Sequence, residues 1–410
     1  MNDFSEEISP PDFDVVVVGS GPAGCEASLA AAAAGARVLC LTINLDMVGY
    51  PPATPVLAEN SGDRRHALHA EIKSLGGRLP ALLEKQNVAN TGDDSGCLVV
   101  DRRLLGLAWK EALEYADGLS LRQALVTHLE PCGSAWHITT GLAEEFTAAA
   151  VVVAAGTFLN GRVVDAGGSI PGGRWAEIPS HSLARSLKGL GVEFTEIWAR
   201  TSPRIAAGSV ESVADIARSA GSKQTTGAMR SAGTDRLAGG KSRLYPDGMQ
   251  LDEIYAYELE TEGNRLGQLS AIRNIDGLEN AWITRTSYTV FHDVIKAGQV
   301  CETLETVGLA GLFFTGRAAG SCNYSEAAIL GLVAGRAAAV HAASSMAGTS
   351  AANSDGNAAS VSCGGLTGER TAQHAGEQTA DHVLLELLID RIAHKQIRPV
   401  TIRTDAESGC

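Results

Sequence analysis

The chain has eight cysteines in 410 residues and no CxxC pair among them. Positions 25, 40, 97, 132, 301, 322, 363 and 410 are scattered. Several fall in predicted buried strands or helices, so reduced thiols in a cytosol are expected rather than a disulfide framework. Basic charge is short as well, with 33 Lys and Arg against 47 Asp and Glu and a net charge of −14. Such a surface repels nucleic acid phosphate over much of its area. No run reaches the roughly 18 uninterrupted apolar residues of a membrane span. The opening MNDFSEEISPPDF is acidic, the wrong sign for a signal or transit peptide, so a cytoplasmic protein without a membrane partner is expected. His66 and His69 have helical metal-ligand spacing but no third ligand in sight, and no metal is expected.

What is present is a nucleotide-binding unit. In DVVVVGSGPAGCEASLAAAAAGARVLCLTINLD, from Asp14 to Asp46, a buried strand runs into Gly19-x-Gly21-x-x-Gly24, an Ala-rich helix and a second apolar strand. Gly19 allows the tight turn, Gly21 lets backbone approach a pyrophosphate, and Gly24 lets the helix lie close on the sheet. Ser20, Pro22 and Ala23 complete the loop, and the helix N-terminus faces the phosphates. The Asp or Glu that usually ends the second strand is missing. Thr42 and Asn44 stand there, able to bond a ribose but unable to repel a 2′-phosphate as a carboxylate would. No second complete GxGxxG occurs, so a nicotinamide site has no motif of its own.

The fold class predicted is α/β: a Rossmann-type domain of glutathione-reductase-like topology with a smaller inserted substrate domain. The boundaries read as a flexible N-terminus (1–12), a first part of the nucleotide domain (13–205), an insert (206–290), a closing part (291–342), a flexible linker rich in Ala, Ser, Gly and Asn (343–380), and a C-terminal helix and tail (381–410). A helix over Glu59–Leu75 capped by Ser61 or Asp63, strands at Leu121–Leu129 and Trp136–Thr140, a crossover loop over Asp165–Ser180 and a mobile loop over Ala206–Gly240 fill in the order.

Seven segments in one order then carry a resemblance: VVGSGPAGCEA, LTINLDMVG, DRRLLGLAWKEALE, VVVAAGTFLNGRV, PGGRWAEIPSHSLARSLKGLGVEF, RTSPRI and GLFFTGRAAGSCNYSEAAILGLVAGRAAA. Together they resemble the MnmG (GidA) family of tRNA uridine-modifying flavoproteins and, more distantly, the folate-dependent TrmFO enzymes. The resemblance implies FAD. It implies that Gly19, Gly21, Ala23 and Gly24 hold the pyrophosphate, that Thr42 and Asn44 take the ribose, and that the Val126 backbone lies beside adenine. Gly156 with Thr157, and Gly316 with Arg317 and Ala318, match the family's flavin-contacting turns. The helix opening at Tyr324-Ser325-Glu326 would aim its N-terminus at the flavin.

The departures point elsewhere. Ala53 stands where the family has a cysteine, no cysteine lies between Ala206 and Leu244, and linker plus one helix replace a long helical tRNA domain. A methyl group cannot replace a thiol. Candidate catalytic residues are Cys322, just before the flavin-facing helix, and Asp101 at a helix start, which reads equally as an N-cap followed by two solvated arginines. Arg174 in PGGRW and Arg204 in RTSPRI are placed to fix an anionic substrate. His292 in SYTVFHD is a general acid or base near neutral pH. These features favour a stand-alone, homodimeric FAD oxidoreductase acting on a small molecule, recycled by NADH, NADPH or oxygen, with tRNA an unlikely partner. Two readings stay open beside it: folate- and FAD-dependent tRNA uridine modification, and a non-catalytic flavin-binding protein.

Overall fold

The computed structural model describes residues 10–58, 63–85, 89–90, 98–165, 167–210, 243–246, 253–257, 264–274, 278–352, 388–390 and 392–393. In chain order the strands are β1 (Phe13–Val18), β2 (Val38–Thr42), β3 (Val56–Ala58), β4 (Ala89–Asn90), β5 (Leu98–Val100), β6 (Leu119–Gln123), β7 (Val126–Cys132), β8 (Ala135–Thr140), β9 (Glu145–Val153), β10 (Arg162–Asp165), β11 (Gly168–Pro171), β12 (Phe194–Arg200), β13 (Arg204–Ala206), β14 (Arg243–Pro246), β15 (Glu253–Tyr257), β16 (Ile283–Arg285), β17 (Thr289–Ile295) and β18 (Leu312–Phe314). The helices are α1 (Pro22–Ala33), α2 (Asp63–Ser74), α3 (Leu79–Glu84), α4 (Arg102–Glu114), α5 (His181–Gly189), α6 (Arg265–Arg273) and α7 (Tyr324–Ala352).

β1 and β9 form the middle of a seven-stranded sheet ordered β6-β2-β1-β9-β8-β7, with β18 against the second half of β9. β6, β2, β1, β9 and β18 are parallel, whereas β7, β8 and β9 form an antiparallel meander. The valines of β1 and the AVVV end of β9 are buried on both faces, which explains their unbroken apolar runs. α1 and α7 pack closely across this sheet. Cβ atoms added to Gly331 and Gly335 would run into the backbone of Ala23 and Ala27, so small residues on both helices set the crossing.

α7 is also long and apolar enough, over Tyr324–Ala347, to meet the length and composition of a membrane span, although its apolar residues are interrupted. Most of that segment is buried against α1 and the sheet, as in a core helix. It continues to Ala352, so the first ten residues of the supposed linker are helical; alanine has the helix propensity that a reading of low complexity overlooks. The rest of the linker, the N-terminal nine residues, the Ser61 cap and most of Ala206–Gly240 lie outside the described residues, and of the C-terminal helix only short pieces lie inside them.

Two other local expectations change. Leu121–Leu129 is two strands: β6 joins the parallel sheet beside β2, and after Ala124-Leu125 the chain enters the meander as β7. The Asp165–Ser180 loop begins as a hairpin of β10 and β11, which joins β17 and β12 in a four-stranded antiparallel sheet. The predicted boundary at 290/291 therefore cuts through β17. β13, β14, β15 and β16 make a separate sheet over a small core of Ile205, Val210, Ile254, Ile272, Leu278, Ala281 and Ile283.

Candidate functional site

The turns that follow four parallel strands meet at the carboxyl edge of the main sheet, where open α/β sheets bind ligands. Gly19 N–H donates to Leu41 O at 2.7 Å, Ala154 N–H to Val18 O at 2.9 Å and Thr315 N–H to Val153 O at 3.0 Å. The exits of β1, β2, β9 and β18 are thus held in one ladder. Gly19 takes φ +106°, and a side chain there would overlap the carbonyl of Ala154; a Cβ on Gly24 would overlap that of Gly19. Gly21 differs, because a Cβ there meets nothing within 4 Å. Its bareness is not needed by the protein's own packing and leaves room for something else.

Gly21 is also the N-cap of α1, with Pro22 following, no side-chain cap and no acidic residue in the first turn. The free N–H groups of that turn and the helix dipole suit a pyrophosphate. These residues fit the dinucleotide of the sequence reading. Ser20 donates to the Thr42 hydroxyl at 2.7 Å, both side chains being buried, and this ties the loop to the end of β2. Asn44 caps the next turn through Asp46 N–H at 2.9 Å. Val126 is buried at the start of β7, opposite Thr140.

The two further turns carry positive φ at glycine, +59° at Gly156 and +63° at Gly316. Thr157 Oγ1 donates to Gly173 O at 2.6 Å, so the PGGRW loop is seated on the Gly156 turn. Ala318 is buried, and Arg317 donates to Ser321 O at 2.8 Å, closing its own turn. At the head of α7, Glu326 N–H donates to Asn323 Oδ1 at 2.9 Å and its carboxylate accepts from Cys322 N–H at 2.7 Å. This pattern resembles a capping box, except that the carboxylate reaches the residue before the N-cap. It places a carboxylate in the turn expected to face a flavin, and binds the Cys322 backbone into it.

The structure gives each catalytic candidate partners or burial within the protein. Asp101 is buried and accepts from Arg103 and Leu104 N–H at 2.9 and 3.0 Å, the N-cap of α4. Arg102 is not solvated: its guanidinium is buried, 4.7 Å from the rings of both Tyr50 and Tyr255. Arg204 lies 4.7 Å from the same Tyr255 ring and donates to Glu253 at 3.1 Å. Arg174 pairs with Glu177 at 2.9 Å and covers Phe158. His292 is fully buried in β17; burial, then the nearby Arg317, pushes its pKa well below the usual imidazole value, partly offset by the Val290 backbone. It is neutral near pH 7 and has no proton to give as an acid. Cys25 and Cys40 lie beneath the glycine turn, buried, with thiol pKa values raised by burial.

Sequence reading passed over Glu26. It is buried on α1 and accepts from Arg78 N–H (2.8 and 3.0 Å) and Leu79 N–H (2.7 Å), capping α3. Burial raises its pKa to about 7 against those bonds. Its signal was present: a carboxylate inside an otherwise small, apolar helix face.

Among the described residues no group of three His, Cys, Asp or Glu side chains could hold a metal. The sequence model of the family "Glucose inhibited division protein A" matches residues 14–233 and 240–346. The tRNA uridine 5-carboxymethylaminomethyl modification enzyme MnmG of Streptococcus agalactiae is 29% identical over 388 residues, covering 79% of this chain and 61% of the relative. That of Streptococcus pneumoniae is 28% identical, covering 81% and 61%. The chain thus spans about three fifths of the length of these relatives. Among solved structures, Aquifex aeolicus GidA superimposes with a TM-score of 0.69 at 25% identity, over 81% of this chain and 64% of that one. The expectation of a small-molecule substrate with tRNA as an unlikely partner is overturned by these relatives, which are named for modifying tRNA. Net charge misled it, because a total of −14 says nothing of where the arginines gather. With its family match across most of the chain and its nucleotide turn built as that match requires, this protein belongs to the GidA flavoprotein family.

Proposed function

We propose that this chain is an FAD-dependent enzyme that modifies uridine in tRNA. The observation that carries the reading is the family match over residues 14–233 and 240–346, joined to a glycine cradle whose open position, Gly21, the protein leaves unfilled. FAD held there would supply two-electron transfer. In this reading the added carbon comes from a folate-derived one-carbon unit, and NADH or NADPH restores the reduced cofactor.

The chain's own residues divide the work. The α1 N-terminus and the Gly19–Gly24 backbone hold the pyrophosphate. Thr42, Asn44 and the Val126 backbone would hold the adenosine end, and the Gly156-Thr157 and Gly316–Ala318 turns would hold the flavin end. Because Gly173 accepts from Thr157, the PGGRW loop is fixed relative to the Gly156 turn. With Ala53 in the loop after β2, no thiol is supplied from there, and buried Cys25 and Cys40 are poor nucleophiles. Reaction at the uridine therefore proceeds without a cysteine from that loop.

The test is direct. FAD-loaded protein is incubated with an unmodified tRNA transcript, folate one-carbon donor and NADH, and the digested nucleosides are weighed by mass spectrometry. A mass increase on uridine is expected. FAD-loaded protein that neither binds the transcript nor changes any nucleoside would overturn the proposal.

A further inference from the structure

Beside the flavin-side turn lies a pocket that the family's nucleotide motif does not account for. Its volume is about 300 Å³ and, among the described residues, Trp175, Arg265, Thr284, Arg285, Thr286 and Tyr288 line it. Its position follows from the chain. Trp175 comes two residues after Gly173, the acceptor of the Thr157 hydroxyl, so one wall is bolted to the Gly156 turn. Tyr288 packs on the same wall, its ring 5.9 Å from that of Trp175 at 45°, and β16 continues the lining.

The chemistry of the lining is specific. Trp175 keeps 42% of its surface exposed, which leaves part of its ring open for stacking. Arg265 is held in place by the Ile283 carbonyl at 2.7 Å and by the Trp282 ring at 5.2 Å. Arg285 is exposed, and among the described residues its side chain makes no hydrogen bond or ion pair, acting only by its charge on Glu253. With Thr284 already bonded to Glu253, two guanidiniums, the Thr286 hydroxyl and an open aromatic face remain, and they suit a planar base with an attached phosphate. About 300 Å³, in a half-open groove, is the lower end of the range for small-ligand sites and accommodates one nucleotide.

We propose that this pocket receives a single splayed-out nucleotide of the RNA substrate, the base stacked on Trp175 and its phosphate held by Arg285, one loop away from the flavin. The assignment rests on the tRNA reading above. It also locates basic charge in an acidic chain: Arg265 and Arg285 gather on one face while the total stays at −14.

The experiment uses the full FAD-loaded chain with Trp175→Ala, Trp175→Phe and Arg285→Ala, and an unmodified tRNA transcript as probe. Base stacking on an aromatic side chain contributes about 1–3 kcal/mol. Trp175→Ala should therefore weaken transcript binding roughly ten-fold or more, Trp175→Phe should recover most of it, and Arg285→Ala should also lower the salt dependence of binding. FAD content should remain that of the wild type in all three. A wild type that binds no transcript defeats the tRNA reading itself. A wild type that binds while the variants bind equally well defeats only the pocket. Protection of Trp175 fluorescence by NADH or NADPH but not by the transcript would likewise overturn it.

Discussion

The indole N–H of Trp109 donates to the hydroxyl of Tyr324 at 2.8 Å, and that hydroxyl in turn donates to the carbonyl of Gly49. One side chain at the head of α7 thereby joins α4 to the loop that follows β2. The hydroxyl is buried and its pKa raised well above the usual phenol value, first by burial and then by neighbouring Cys25, so it stays a donor across the working pH range. Tyr324→Phe would strand a buried N–H and a buried carbonyl. At about 1–3 kcal/mol for each unsatisfied group, a loss of about 2–6 kcal/mol is expected in urea unfolding. A loss under 1 kcal/mol would show that water replaces the hydroxyl.

Gly21 and Gly24 should respond differently to the same added methyl. A Cβ at Gly21 enters open space, so Gly21→Ala should leave the unfolding midpoint of FAD-free protein nearly unchanged while weakening FAD retention. Gly24→Ala drives a methyl into the Gly19 carbonyl and should lower both. Gly21→Asp adds a negative charge facing phosphate and should abolish the yellow colour entirely. Visible absorption with thermal unfolding separates the cases.

Glu26 makes stability fall as pH rises. Its folded-state pKa, about 7, lies above the ordinary 4.5, so the folded chain holds the proton more tightly than the unfolded one. That advantage is complete below pH 4.5 and gone once pH passes about 7; the difference of 2.5 units corresponds to about 3 kcal/mol. Glu26→Gln should flatten the stability curve between those values. Parallel curves for wild type and variant would mean that the three N–H bonds keep the carboxylate ionised.

His292 contributes with the opposite sign. Its pKa is lowered on folding, so stability is present above the ordinary imidazole value of 6.5 and declines as pH falls below it. Its ring should not titrate near pH 6.5 in a histidine NMR spectrum of the folded protein. A normal titration there would show that the strand opens to solvent.

Thiol labelling under native conditions should reach Cys132, which is exposed, and spare Cys25 and Cys40. Burial raises both of the latter thiols above their ordinary range. Labelling Cys132 should leave FAD content and tRNA modification unchanged, as read by mass spectrometry of protein and nucleosides. Loss of modification after that single label would place the meander near the substrate.

Local chemistry was enough to specify the nucleotide unit from sequence. β1, the glycine turn, α1 and β2 lie within about thirty residues, and each demand of the turn is written in the residue that meets it. The Gly156 and Gly316 turns were singled out by resemblance, and the structure places them after the parallel strands β9 and β18 with positive φ at both glycines. Contacts between distant segments were not legible. Asp101, Arg204 and Arg174 have the residue types of a catalytic site, yet the fold commits them to a helix cap, an ion pair beside Tyr255 and a pair with Glu177. A side chain's type says what it can bond; only its neighbours in space decide what it does bond. For the same reason no pattern in the sequence could bring Trp175 to Arg285, which are 110 residues apart and meet only because Gly173 is fastened to Thr157 while β17 runs between β10 and β12.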